Sequence, residues 1–236
     1  MKKFLCLFAV FCMMFTLVAC PQPDEESKRD YMTWTEYNAA EIDSEVTIEA
    51  YVQGKQAWWF NSEKNTGLAS LYLQDNDGGY FVYELPCTEE EYNKLTVGTK
   101  VRVTGVKAEW SGEFEIIEAT LKVIEGNYVA EPVDVTAKLG TDELINYQNM
   151  LVAFNELTVV GVEYQNGTRG KDIYVTLSYN GVEYDFCVES YLTGPDTELY
   201  QAVEALEAGQ HVNIVGFAYW YNGINTHITG IESHAH

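Results

Sequence analysis

VGTKVRVTGVKAEWSG, residues 97 to 112, decides the fold, because the chain repeats it. The second copy is AGQHVNIVGFAYWYNG, residues 208 to 223, displaced by 111 positions without a gap. Gly98 matches Gly209, Val101 matches Val212, Val103 matches Ile214, Gly105 matches Gly216, Trp110 matches Tyr221 and Gly112 matches Gly223. Each copy reads as a strand entered through a Gly turn, bent at a second Gly and closed by a Ser-Gly or Asn-Gly hairpin.

The same pattern extends outward from each copy. Thr33 with Glu36, and Thr88 with Glu91, are capping boxes that open short helices. From Glu45 to Gln56, Val46, Ile48, Ala50 and Val52 alternate with polar or aromatic residues, as in a half-buried strand. Strands follow over Leu68 to Gln74 and Tyr80 to Leu85, on either side of the turn DNDGG. The repeated strand, Thr99 to Glu109, and a fifth, Glu113 to Val123, complete the first set. The connector from Glu125 to Leu139 contains Pro132 and leads to a short helix at Thr141. The second set runs Leu151 to Gly161, Asp172 to Tyr179, Val182 to Val188, a helix over Asp196 to Ala208, Gln210 to Tyr219 and Ile224 to Ile231. Asn180-Gly181 marks its hairpin. The tail SHAH is expected to fray.

Three strands, a helix and two strands is the order of the OB-fold, a partly open five-stranded barrel. The expected class is all-β: two tandem five-stranded OB-fold-like barrels, each with a short helix between strands three and four. LYLQDNDGGYFVY (Leu71 to Tyr83) and VGTKVRVTG (Val97 to Gly105) resemble an OB-fold family found in bacterial extracytoplasmic lipoproteins and as an accessory module of secreted nucleases. The first domain carries both motifs. The second replaces DNDGG with YNG, which weakens its claim to the ligand surface. The resemblance covers residues 31 to 232 and implies a fold more than an activity.

The first twenty residues, MKKFLCLFAVFCMMFTLVAC, read as a signal peptide: two lysines, then an apolar run too short to make a comfortable transmembrane helix. The ending Leu17-Val18-Ala19-Cys20 resembles the bacterial lipobox. That resemblance implies export, cleavage before Cys20, acylation of its sulfur (including palmitate) and anchoring to the bacterial cell membrane, facing outside the cytoplasm. The expected layout is a signal peptide over 1–19, an acidic tether over 20–30, domains over 31–125 and 141–232 with a linker over 126–140, and a tail over 233–236. Of the five cysteines only Cys87 and Cys187 then remain, and they are expected to be free, half-buried thiols in separate barrels.

Net charge is −22 over 236 residues, with Arg169 and Lys171 the last basic residues. Nucleic-acid affinity rests largely on Lys and Arg against phosphate, so this charge argues against a nucleic-acid partner. It also serves solubility.

The usual OB ligand face lies between the loop after strand one and the loop joining strands four and five. Trp58, Trp59 and Trp110 fall there in the first domain, and Tyr164, Tyr219, Trp220 and Tyr221 in the second. Aromatic rings can stack on sugars or bases, or they can close barrel ends and join the domains. Asp75-Asn76-Asp77-Gly78 begins like an EF-hand loop, but position 12 is Pro86, so a hairpin turn explains it. No H-E-x-x-H, G-x-S-x-G or P-loop occurs. No cofactor, metal or catalytic pair is expected. The expected function is a non-enzymatic binding or adaptor lipoprotein, for a glycan or protein partner. An oligonucleotide-binding accessory of nucleic-acid scavenging and a structural part of a surface complex are the alternatives.

Overall fold

The computed structural model describes residues 29–234. Cys20 and the rest of the leader lie outside the described residues. Helix α1 (Trp34–Ala39) starts at the Thr33/Glu36 capping box. The buried Lys107 ammonium donates to the carbonyls of Tyr37, Asn38 and Ala40 and ties the end of α1 to the first barrel.

The first barrel comprises β1 (Glu45–Lys55), β2 (Trp59–Asn61), β3 (Thr66–Gln74), β4 (Gly79–Pro86), β5 (Thr99–Trp110) and β6 (Glu113–Asn127), with α2 (Glu89–Lys94) between β4 and β5. β1 pairs with β3, β3 with β4, β4 with β6 in parallel, β6 with β5, and β5 with β1. That circuit closes a five-stranded OB barrel. β2 is an addition, a short flap on β3.

The second barrel repeats the circuit. It has β7 (Val133–Asp134), β8 (Leu151–Tyr164), β9 (Ile173–Tyr179), β10 (Val182–Val188), α3 (Glu198–Glu204), β11 (His211–Phe217) and β12 (Asn225–His234). β8 pairs with β9, β9 with β10, β10 with β12 in parallel, β12 with β11, and β11 with β8. β7 comes from the expected linker and pairs beside β8. The segment at Thr141 is a 3-10 helix, Asp142–Tyr147, and β12 carries Ser233 and His234 into pairing with β11 instead of leaving them frayed.

The repeated glycines have matched roles. Gly98 and Gly209 enter their strands at φ +89° and +90°, where a side chain would be strained. Gly105 and Gly216 sit where the strand register shifts, and a Cβ on Gly105 would meet the Ile117 carbonyl at 2.6 Å.

Inward residues of each barrel form separate apolar cores, Val46, Ile48, Leu71 and Val103 in one and Val152, Phe154, Val175 and Ile214 in the other. A third cluster joins the barrels. Tyr72 and Phe81, on the outer face of β3 and β4, pack against Phe217, with Leu151, Leu192 and Tyr219 around them. Tyr72 stacks on Phe217 at 4.1 Å between centroids, nearly parallel, and its hydroxyl lies 2.6 Å from Nδ1 of the buried His227. Gly54 makes room for Phe217, and Gly79 for the backbone of Asn149 and Met150.

Polar bonds complete the seam. Leu151 N–H donates to Gln74 Oε1, Ala57 N–H to the Tyr191 carbonyl, and Asn149 Nδ2 to the Phe114 carbonyl. The two copies of the repeat meet here: Asn222 N–H donates to the Ser111 carbonyl at 2.7 Å, joining the hairpin turns. Beneath them, fully buried Glu113 accepts the Trp220 N–H at 2.8 Å.

Cys87 and Cys187 are free and both buried, deeper than the half-buried placement expected.

Candidate functional site

The OB ligand face is the outer side of strands two and three, flanked by the loops after strand one and between strands four and five. In the first barrel those strands are β3 and β4, and their outer face is filled by the second barrel through Tyr72 and Phe81. In the second barrel they are β9 and β10, and their outer face is open. It forms the floor of a groove of about 870 Å³ between the barrels. The sequence points the other way, because DNDGG marks the first barrel. The structure explains the difference: Gly78 packs under Trp34 and Gly79 against Asn149 and Met150, whereas Gly181 of YNG has nothing near it.

β9 and β10 alternate, so Tyr174, Thr176, Glu183, Asp185 and Cys187 share the groove side. The β8–β9 connection adds Gln165 and Asp172, and Glu163 precedes it. Trp110, at the end of β5, reaches in from the first barrel, as does Gln56. Tyr219 and Tyr221 line the facing side. A smaller hollow of about 440 Å³ shares Gln56 and Glu189 with the groove and adds Trp59, Tyr83 and Tyr191. The two form one cleft along the seam.

Four of the expected aromatics therefore reach the cleft: Trp110, 61% exposed, Tyr221, 54% exposed, Trp59, and the half-buried Tyr219, which stacks on His227 and meets Phe81 edge-on. Three are held by the fold instead. The Trp58 indole donates to the Cys87 carbonyl at 3.0 Å over Gly67. The Tyr164 hydroxyl donates to Glu204, which also pairs with Arg169. Trp220 is buried in the second barrel's core. β11 ends at Phe217 while β5 runs on to Trp110, so the repeat's aromatics point differently in its two copies.

Sequence reasoning missed the carboxylates. Glu163, Asp172, Glu183, Asp185 and Glu189 line the groove, and no Lys or Arg does. Among the described residues none of the five forms an ion pair. Asp172 accepts from the Ser190 N–H and hydroxyl, and Asp185 from the Thr176 hydroxyl. Burial raises Glu189 to about 7, although the N–H groups of Tyr191 and Leu192 hold its carboxylate. Burial also depresses His227 to about 3, so it is a neutral bonding partner of Tyr72. The signal was the alternation of β10, Glu183 and Asp185 against Tyr184 and Phe186, which marks a face without saying what it meets. No group of His, Cys, Asp and Glu among the described residues is arranged to hold a metal ion.

No protein-family model and no curated protein matches the chain. Solved structures do. A murine DNA-binding protein bound to double-stranded DNA is 8% identical, with 79% of this chain and 94% of that chain covered and a TM-score of 0.38. The Ifi202 HINa domain in complex with a 20-bp double-stranded DNA is 13% identical, with 80% and 98% covered and a TM-score of 0.36. An aspartyl tRNA synthetase from Entamoeba histolytica is 17% identical over 48% of this chain and 25% of that chain, at a TM-score of 0.31. At these identities the likeness is one of fold alone. It does correct one expectation. Two of these structures hold double-stranded DNA, a finding against the expectation that net charge sets nucleic acid aside as a partner.

Proposed function

We propose that the chain is a non-catalytic binding module, exported and held at the bacterial membrane by an acylated Cys20, whose ligand lies in the groove over β9 and β10. The observation that carries this reading is the asymmetry of the barrels. One OB ligand face is spent on joining them, and the other is open, with Trp110 of the first barrel brought over it. A glycan or an extended protein segment suits such a cleft, because Trp110, Tyr174 and Tyr221 offer ring faces and Gln56, Gln165 and Asn222 offer both donors and acceptors. Trp110→Ala and Tyr221→Ala should leave the fold intact and abolish binding in a glycan and peptide screen. Binding that survives the double substitution rejects the groove.

A nucleic-acid ligand is the second reading. Double-stranded DNA is what two of the solved structures named above hold, and exposed aromatic rings stack on bases as they do on sugars. A salt titration separates the readings, since nucleic-acid affinity falls steeply with salt while neutral stacking hardly changes.

A further inference from the structure

We infer that the groove takes an extended peptide segment bearing Lys or Arg side chains. This rests on the groove being the ligand site and names the chemistry that it selects.

Among the described residues most carboxylates of this acidic chain have no ion-pair partner, and those that do lie outside the groove, among them Glu49 with Lys100 and Arg102, Asp30 with Arg102, Glu84 with Lys64 and Glu204 with Arg169. The groove gathers five carboxylates with no ion-pair partner among the described residues. A cleft lined by one sign of charge between low-dielectric walls focuses its field on whatever enters. The hydrogen-bond inventory has the same bias. Asn225 lines the groove, and its Oδ1 is buried without a partner. Among the described residues the Glu163 and Glu183 carboxylates accept no hydrogen bond, and those of Asp172, Asp185 and Glu189 keep lone pairs beyond the bonds that hold them. Ammonium and guanidinium groups are donors only. The exposed faces of Trp110, Tyr174 and Tyr221 add the third component, since ring faces attract cations held over them.

A peptide fits better than a small amine because the cleft is long and its polar groups are mixed. The main groove runs into the hollow at Trp59, Tyr83 and Tyr191, with Gln56 and Glu189 common to both. Gln56, Gln165 and Asn222 can each give and take a hydrogen bond, as a peptide backbone requires. The cationic side chains then fall among Glu163, Glu183 and Asp185, on the open side of the cleft.

The test is calorimetric titration of the mature protein with four probes: a capped peptide alternating Lys and Gly, its Glu-Gly counterpart, spermine, and a neutral cello-oligosaccharide. The Lys-Gly peptide should bind more tightly than the other three. Glu183→Gln and Asp185→Asn, both at exposed positions, should each weaken it about fivefold, the scale of a partly exposed ion pair. Trp110→Ala should weaken it about tenfold, a strong cation–π contact. Equal binding of the Glu-Gly peptide, or Lys-Gly affinity unchanged in both charge variants, overturns the inference. Spermine binding as tightly as the peptide overturns the choice of a peptide. Trp110-dependent binding of the oligosaccharide with none of the Lys-Gly peptide overturns the inference but leaves the groove as the ligand site. Absence of binding by all four probes, with the intrinsic Trp emission of the protein unmoved, overturns the inference and counts against the groove.

Discussion

Glu113→Gln should stabilise the protein, and more so as pH rises. Glu113 is the first residue of β6 and is fully buried at the seam. Its Oε2 accepts from the Trp220 N–H and from Gln148 Nε2, while Oε1 has no partner. The Asn149 side chain lies beside it, and Asn149 Oδ1 is also buried without a partner. Burial, reinforced by the nearby Glu115 charge, holds this carboxyl well above its ordinary range. The folded chain thus keeps a proton that the unfolded chain releases above about pH 4.5. With more protons bound in the folded state, stability is greatest below the unfolded value and falls as pH rises. One proton is worth about 1.4 kcal/mol per pH unit. Glutamine keeps an oxygen for the Trp220 N–H while removing the titration. Urea unfolding followed by Trp fluorescence, for both proteins at several pH values between about 5 and 7, measures the difference. Glu115 and Glu189, whose raised values also favour the folded state at low pH, are common to both proteins and cancel. The gain from Glu113→Gln should grow as pH rises above about 4.5, by at most about 1.4 kcal/mol for each pH unit. A gain that is flat with pH refutes the buried proton.

Phe217→Ala removes the ring that stacks on Tyr72, and should cost about 3–5 kcal/mol and split the calorimetric melt into two transitions, one per barrel. A single transition at an unchanged temperature would contradict the role given to this seam. Gly105→Ala drives a methyl to 2.6 Å from the Ile117 carbonyl and should lose roughly 2 kcal/mol or more in a thermal melt, while Gly181→Ala disturbs only the Asn180-Gly181 turn and loses less. Cys20→Ala should abolish partitioning into the detergent phase, which a phase-separation assay of whole cells reads directly.

The barrels were legible because their signals are local and repeated. Capping boxes at Thr33 and Thr88, the turn at Asn180-Gly181 and the matched glycines each dictate backbone geometry within a few residues. The way the barrels meet was less legible, because one run of letters serves two packing surfaces. In Leu71-Tyr72-Leu73 and Tyr80-Phe81-Val82, apolar residues occur consecutively where a half-buried strand would alternate. That is the mark of a strand covered on both sides, and it identifies the face that the second barrel occupies. The groove was legible only in part: Trp59, Trp110, Tyr219 and Tyr221 were marked as candidates, but not the cleft that they share with the carboxylates. Trp110 and Asp185 are brought to one cleft only by the docking of two domains.

The joined hairpin turns also bear on the thermodynamics of any binding event. A ligand that bridges two loosely tethered domains must immobilise them, and that loss of freedom is subtracted from its affinity. Here the Asn222–Ser111 bond, the Tyr72–Phe217 stack and the buried Glu113 set the barrels' mutual placement during folding. The distance between Trp110 and the floor of β9 and β10 is therefore set before a ligand arrives. On the proposed reading a ligand would pay no cost for ordering the two barrels, and the cleft would act as a fixed gauge that accepts ligands of one thickness.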